Sequence, residues 1–166
     1  MLISFILYTL PYLNYCNVAI QKLQGTVTEE NIAICTMLIE EADFFHLEAD
    51  LVLAFAYEES RLTAQLEPNP WGCAGPLQIK VKHWCPNKDN VWSKHRADGV
   101  LEQCDLITRG MFALKYYITL PKLSFNQKIC SFGFGPIEKC KKPKLPKKQK
   151  RYVDAVLKNY RKLRGY

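Results

Sequence analysis

The feature that most constrains the fold is an apolar stripe at helical spacing that ends in a loop rich in proline and glycine. In the segment 48–60, Val52, Phe55, Ala56 and Glu59 follow the i, i+3, i+4, i+7 pattern of one helix face. The segment 66–75 contains two prolines and two glycines, which excludes a regular helix there. The sequence therefore predicts an amphipathic helix that leads into a constrained loop.

Similar spacing predicts helices on both sides of this unit. An earlier helix is predicted after an N-cap at Thr26 or Thr28, with Glu29 completing a capping box if the cap is Thr26. Its buried face is expected to contain Ile32, Cys35, Leu38, Ile39, Ala42 and Phe45.

Periodicity also predicts helices over residues 101–120, 125–132 and 151–163, the first despite Gly110 and the second stopping in the segment 133–136. The segment 76–81 is short and predicts a strand end or an extended edge. With 166 residues, the chain fits one domain that can bury a core. The predicted fold class is mostly α.

Seven cysteines are unusual for a chain of this length in a reducing cytosol. No two are spaced as C-x-x-C, and His46, His83 and His95 lack the paired spacing of a zinc module, so neither a metal nor another cofactor is expected. If Cys16 is removed with the N-terminus, six remain, enough for three bridges. This count favours an exported protein, in the periplasm, the cell envelope or the medium.

The N-terminal segment 1–25 is hydrophobic and fits an export signal or anchor. Leu2 to Leu10 is almost unbroken apolar sequence, which matches the core of a signal peptide and is too short to span a membrane. The alternative is an apolar segment that packs on the domain formed by residues 26–166.

Basic residues are concentrated in the C-terminal segment 139–166. Between 139 and 164 there are twelve Lys or Arg and a single acid, Asp154, although the net charge of the whole chain is only +7. This distribution fits contact with an anionic envelope surface, or a solvated helix face. Specific nucleic-acid binding is not expected, since no recognised reading module accompanies the basic run.

Two adjacent carboxylates, Glu58 and Glu59, close the predicted helix of segment 48–60. Burial raises a carboxyl pKa, as a general acid working near neutral pH requires. Glu59 lies on the apolar stripe, but periodicity alone does not select it over Glu58. The structural alternative is a solvated pair in which Glu58 contacts Arg61.

Two segments resemble motifs of the soluble lytic transglycosylases. The segment 49–61, Ala-Asp-Leu-Val-Leu-Ala-Phe-Ala-Tyr-Glu-Glu-Ser-Arg, looks like the helix of that family that ends in a Glu-Ser pair. The segment 72–79, Gly-Cys-Ala-Gly-Pro-Leu-Gln-Ile, is similar to the Gly-Ala-x-Gly-Leu-Met-Gln-Ile motif that follows it at this separation. Weaker similarities link 131–136 to the Ala-Tyr-Asn-x-Gly-Pro motif, and Tyr152, Val153 and Tyr160 to the closing helix.

The resemblance implies a lysozyme-like single domain of the goose-lysozyme type, acting as a monomer on peptidoglycan glycan strands. Glu59 would serve as general acid and then base, with formation of 1,6-anhydromuramoyl products. The residues that match substrate-binding positions are Ser60, Leu77, Gln78, Phe132, Phe134 and Tyr152. The competing functions are a goose-type lysozyme that uses water, and a non-catalytic wall-binding protein.

The chain departs from the family at three positions. Phe132 replaces a Tyr that can hydrogen-bond the catalytic Glu, Gly133 replaces an Asn, and Lys148 replaces an acid. Either another tyrosine, such as Tyr116 or Tyr117, supplies the hydroxyl, or activity is reduced. Three tryptophans are candidates for stacking on sugars or for local packing: Trp71, Trp84 and Trp92.

Overall fold

The computed structural model describes residues 2–85, 104–135, 137–142 and 144–166, with side chains from Pro11 onward. This part of the chain is mostly helical, as predicted. It contains helices α1 (Leu2–Gln24), α2 (Glu29–Phe44), α3 (Ala49–Ser60), α4 (Val81–Trp84), α5 (Leu106–Thr119), α6 (Phe125–Phe134), α7 (Ile137–Cys140) and α8 (Lys147–Arg164). Strands β1 (Cys73–Ala74) and β2 (Ile79–Lys80) form an antiparallel pair.

Helix α2 begins after Thr28, which confirms one of the two predicted caps. The Thr28 hydroxyl accepts a hydrogen bond from the Asn31 backbone N–H at 3.2 Å. Glu29 is already the first helical residue, so the capping box between Thr26 and Glu29 does not form. The two candidate caps are only two residues apart, and local sequence did not distinguish them.

Helix α6 runs two residues past the predicted Phe132 and ends at Phe134, within the predicted stop segment 133–136. The C-cap is Gly135, whose φ of 78° is in the left-handed region that glycine adopts without strain. In α5, a Cβ at Gly110 would lie 2.9 Å from Leu77 Cδ1. Both helical glycines therefore permit close packing and do not terminate the helices.

Helix α3 lies at the centre of the fold and packs against α2 and α8. All six residues from Leu51 to Ala56 are buried, so this part of the helix is enclosed on all sides and is not merely amphipathic. Phe55 and Leu53 are completely buried. This enclosure fixes the position of the C-terminal turn of α3, where Glu58 and Glu59 lie.

The second half of α1 is part of the folded body. Cys16, Ala19, Ile20 and Leu23 are buried, and α1 packs against α2 and α8. The Lys22 ammonium donates to the Leu163 carbonyl at 2.8 Å. No helix among the described residues has the length and hydropathy needed to cross a membrane.

Six of the seven cysteines form disulfides, but they are not the predicted six. The bridges are Cys16–Cys35, Cys85–Cys104 and Cys130–Cys140. Cys73 is the free cysteine. The expectation that Cys16 lies outside the bridged set was wrong, because packing of α1 on α2 brings its Cα to 5.8 Å from that of Cys35. Three bridges fit an oxidising compartment.

Candidate active site

The C-terminus of α3 is held by a buried amide. The helix ends at Ser60, and Arg61 and Leu62 adopt left-handed φ values of 59° and 58°. The Asn31 side chain donates to the carbonyls of Arg61 and Leu62 at 3.3 and 3.0 Å. These hydrogen bonds satisfy the carbonyls just beyond the helix end, and they fix the turn that follows Glu59.

The two adjacent carboxylates at this turn have different surroundings. Glu58 forms an ion pair with Arg61 at 3.5 Å, as the structural alternative proposed for that residue. Glu59 instead lines a cavity of about 970 Å³. The structure thus distinguishes the two acids, which periodicity did not.

Tyr152 of α8 donates a hydrogen bond from its hydroxyl to Glu59 Oε1. Burial raises the pKa of Glu59 to about 7, and the charge of Glu58 also raises it, whereas the hydrogen bond from Tyr152 lowers it. The pKa of Tyr152 is itself raised well above its ordinary value, chiefly by burial and then by Glu59. The tyrosine therefore remains a hydrogen-bond donor throughout the physiological pH range.

Gly133 of α6 provides the space that the Tyr152 ring occupies. A Cβ at Gly133 would lie 2.5 Å from Cε1 and 2.6 Å from Cζ of Tyr152. Phe132 has no hydroxyl to offer Glu59. Its ring packs edge-on against that of Phe55, with the ring centroids 5.0 Å apart. The hydroxyl that binds Glu59 comes from Tyr152, and neither of the candidate substitutes, Tyr116 and Tyr117, supplies it.

The β1–β2 hairpin forms another part of the cavity through Gln78. This residue has a left-handed φ of 47°, a strained conformation for a side chain other than glycine. Its amide accepts from Asn69 Nδ2 at 2.9 Å and donates to the Gly75 carbonyl at 3.0 Å. The Gln78 side chain is therefore held in a fixed orientation at the cavity surface.

Two other predicted site residues have their side chains away from the cavity. Leu77 is only 1% exposed and packs against Gly110. Ser60 is buried, and its hydroxyl donates to the Ala56 carbonyl at 3.0 Å. Of the six residues predicted to bind substrate, four lie at the cavity surface or contact Glu59: Gln78, Phe132, Phe134 and Tyr152.

Aromatic side chains cover much of the cavity surface. Trp84 packs edge-on against Tyr116 and Tyr117, with ring centroids 6.0 and 6.4 Å apart. Tyr117 in turn contacts Phe132 at 6.1 Å. Trp71 also lines the cavity and is 77% exposed. Trp92 lies outside the described residues. Aromatic side chains of this kind offer large apolar faces to a bound ligand.

Several cavity residues were not identified from the sequence as site residues. They include Asn69, Cys73, Lys80, His83 and Glu138. Their local sequence carried no helical or strand pattern that points to a shared cavity. Burial raises the pKa of the Cys73 thiol, which disfavours its thiolate. No group of three or more metal-ligating side chains occurs in the described ranges.

Comparisons with family models, curated proteins and solved structures find no match to this chain. The chemical capacity of the site therefore follows from its own geometry. A carboxyl group with a pKa of about 7 is protonated in a large fraction of molecules near neutral pH. Such a group, held by a tyrosine hydroxyl in an aromatic cavity, can donate a proton to a bound substrate and take one back.

Proposed function

We propose that the chain is a peptidoglycan lytic transglycosylase with a lysozyme-like fold. It cleaves the β-1,4 bond between N-acetylmuramic acid and N-acetylglucosamine. The observation that carries the proposal is the Glu59 carboxyl group, with its pKa raised to about 7 by burial and its oxygen bound by Tyr152. The motif resemblance around Glu59 and Gln78 supports peptidoglycan as the substrate class.

Glu59 acts first as a general acid. Its proton passes to the glycosidic oxygen as the bond from that oxygen to C1 of the muramoyl residue breaks, and N-acetylglucosamine leaves with a free hydroxyl. Tyr152 stabilises the carboxylate that forms, since a hydrogen bond to a charged oxygen is stronger than one to a neutral oxygen. The raised pKa keeps the acid form available at neutral pH.

Glu59 then acts as a general base. Its carboxylate takes the proton from the muramoyl C6 hydroxyl, and that oxygen bonds to C1 to give the 1,6-anhydro product. The proton returns to Glu59, so the residue ends in its starting state. One carboxyl group is sufficient for this reaction, in contrast to the two used by most glycosidases.

The cavity suits a glycan strand. Its volume of about 970 Å³ is at the upper end of the range for ligand sites. The aromatic side chains of Trp84, Tyr116 and Phe132 offer stacking surfaces, and the fixed amide of Gln78 marks one side. Export is part of the proposal, because peptidoglycan lies outside the cytoplasm and the three disulfides fit that environment.

A muropeptide digest tests the proposal. Mass spectrometry should find products with an anhydro end, lighter by one water than hydrolysis products. Glu59→Gln should abolish these products, because the amide keeps the shape of the side chain but has no acidic proton to donate. Glu58→Gln is the matched control, since Glu58 is adjacent but pairs with Arg61 outside the cavity. Absence of cleavage by the wild type would overturn the proposal in favour of a wall-binding protein.

Glu138 supports a second candidate, a goose-type lysozyme. Its carboxylate lines the same cavity as Glu59 and would activate a water that attacks C1 in place of the C6 hydroxyl. Reducing ends that disappear in Glu138→Gln would support hydrolysis. Anhydro ends that persist in this variant would support the transglycosylase.

A further inference from the structure

Lys148 is positioned beside the proposed catalytic residues. It lies in the first turn of α8 and lines the same cavity as Glu59. Its ammonium is 5.7 Å from the centroid of the Phe134 ring, and that ring packs edge-on against Tyr152 at 5.5 Å. A continuous series of contacts thus links Lys148, through Phe134 and Tyr152, to Glu59.

Lys148 makes no ion pair with an acid within the described ranges. By contrast, Lys150, two residues further along α8, forms an ion pair with Asp154 at 2.5 Å. Glu138 lines the cavity with Lys148, yet the two make no ion pair in the part of the chain that the structure describes. A cation that is not ion-paired, at the wall of a substrate cavity, is suited to an anionic group on the substrate.

The proposed substrate carries such an anion on the substituent that defines its muramoyl residues. A muramoyl residue differs from N-acetylglucosamine by its lactyl substituent, whose carboxylate is either free or amide-linked to a peptide with carboxylates of its own. We propose that Lys148 binds a carboxylate on this substituent and thereby makes the site select muramoyl glycans over neutral ones. The inference rests on the proposed function, because it takes a muramoyl strand as the ligand.

Binding of defined fragments tests the role of Lys148 independently of cleavage. Titration calorimetry would use the Glu59→Gln variant and three fragments of equal sugar length. These are a peptide-bearing muramoyl fragment, the same fragment after amidase treatment, which leaves the free lactyl carboxylate, and a neutral N-acetylglucosamine oligomer. Lys158→Gln is the matched control for Lys148→Gln, since Lys158 is exposed on the same helix and does not line the cavity.

We expect at least one anionic fragment to bind more tightly than the neutral oligomer. Lys148→Gln should weaken that binding by about five- to tenfold, while binding of the neutral oligomer stays constant and Lys158→Gln has no effect. The muramoyl fragment that responds to Lys148→Gln identifies which carboxylate is bound.

Three results would overturn the inference: equal binding of all fragments, equal weakening of all fragments by Lys148→Gln, or binding of none. The digest keeps the two proposals separate. Anhydro products without a fragment preference would retain the transglycosylase and remove the role of Lys148. A fragment preference that depends on Lys148, without any cleavage, would support the role of Lys148 and reject the transglycosylase.

Discussion

The Tyr152 ring lies where a side chain at Gly133 would be, with a Cβ at that position only 2.5 Å from Cε1 of Tyr152. The same tyrosine donates its hydroxyl to Glu59. The presence of Phe132 and Gly133 in α6 therefore has one structural explanation. Phe132 lacks the hydroxyl, Tyr152 supplies it from α8, and Gly133 leaves the space that this requires.

Gly133→Ala should disrupt the site through Tyr152. Alanine normally stabilises a helix by about 1 kcal/mol relative to glycine, but here its methyl group displaces the tyrosine ring. We expect the rate of muropeptide cleavage to fall by about 10- to 100-fold. The double variant with Tyr152→Phe should be no slower than Tyr152→Phe alone. Additive losses in the double variant would show that Gly133 acts independently of Tyr152.

Tyr152→Phe should alter the pH dependence of cleavage. The hydrogen bond from Tyr152 lowers the pKa of Glu59, so its loss should raise that pKa above its value of about 7. The acid form is needed for the first step, and the alkaline decline of kcat/KM should therefore move to higher pH. Tyr117→Phe should leave that decline in place, since the Tyr117 hydroxyl is not the donor. An unchanged profile in Tyr152→Phe would contradict the assigned role.

Glu59 should make the folded state less stable as the pH rises. Its pKa is about 7 in the folded protein and 4.5 ordinarily, so the folded state holds the proton more tightly than the unfolded chain. Stability is therefore lost between these two pH values as the buried carboxyl group ionises. Glu59→Gln should be more stable than the wild type at pH 8 by roughly 1 to 3 kcal/mol, with a smaller difference at low pH. Thermal unfolding at several pH values measures this, and a constant difference would argue against ionisation as its cause.

The bridge between Cys16 and Cys35 should stabilise the whole domain. The two residues are 19 apart in sequence, and their bridge fixes α1 on α2. Replacing both by serine should lower the free energy of unfolding by about 3 kcal/mol. Thiol labelling of the denatured, unreduced wild type should modify one cysteine, identified as Cys73 by peptide mapping. Labelling of Cys16 would contradict the pairing.

The basic C-terminal segment should contribute to wall binding. Lys141, Lys142 and Lys147 are exposed and lie outside the cavity. Changing all three to glutamine should reduce sedimentation with insoluble peptidoglycan at low salt, and the difference should disappear at high salt because ions screen exposed charges. Equal sedimentation of both proteins at low salt would remove this role.

Sequence patterns located most of the helices and drew attention to the end of α3. The end of α3 at Ser60 and the buried residues Cys35, Leu38, Ile39 and Ala42 of α2 depend on neighbours within a few residues, and each could be identified locally. The same local signals narrowed the cap of α2 to Thr26 or Thr28 but did not choose between them. The position of Glu59 on the apolar stripe was equally visible. A mostly helical chain with an acid at the end of a buried helix was thus predictable.

Only the tertiary structure decided which groups meet at that acid. Tyr152 is 93 residues away from Glu59, and it was matched to the site without a partner being assigned. The same holds for Cys16 with Cys35 and for Leu77 with Gly110, whose contacts depend on how helices pack. Local spacing fixes which face of a helix is buried, but the partner across that face depends on the packing of distant segments.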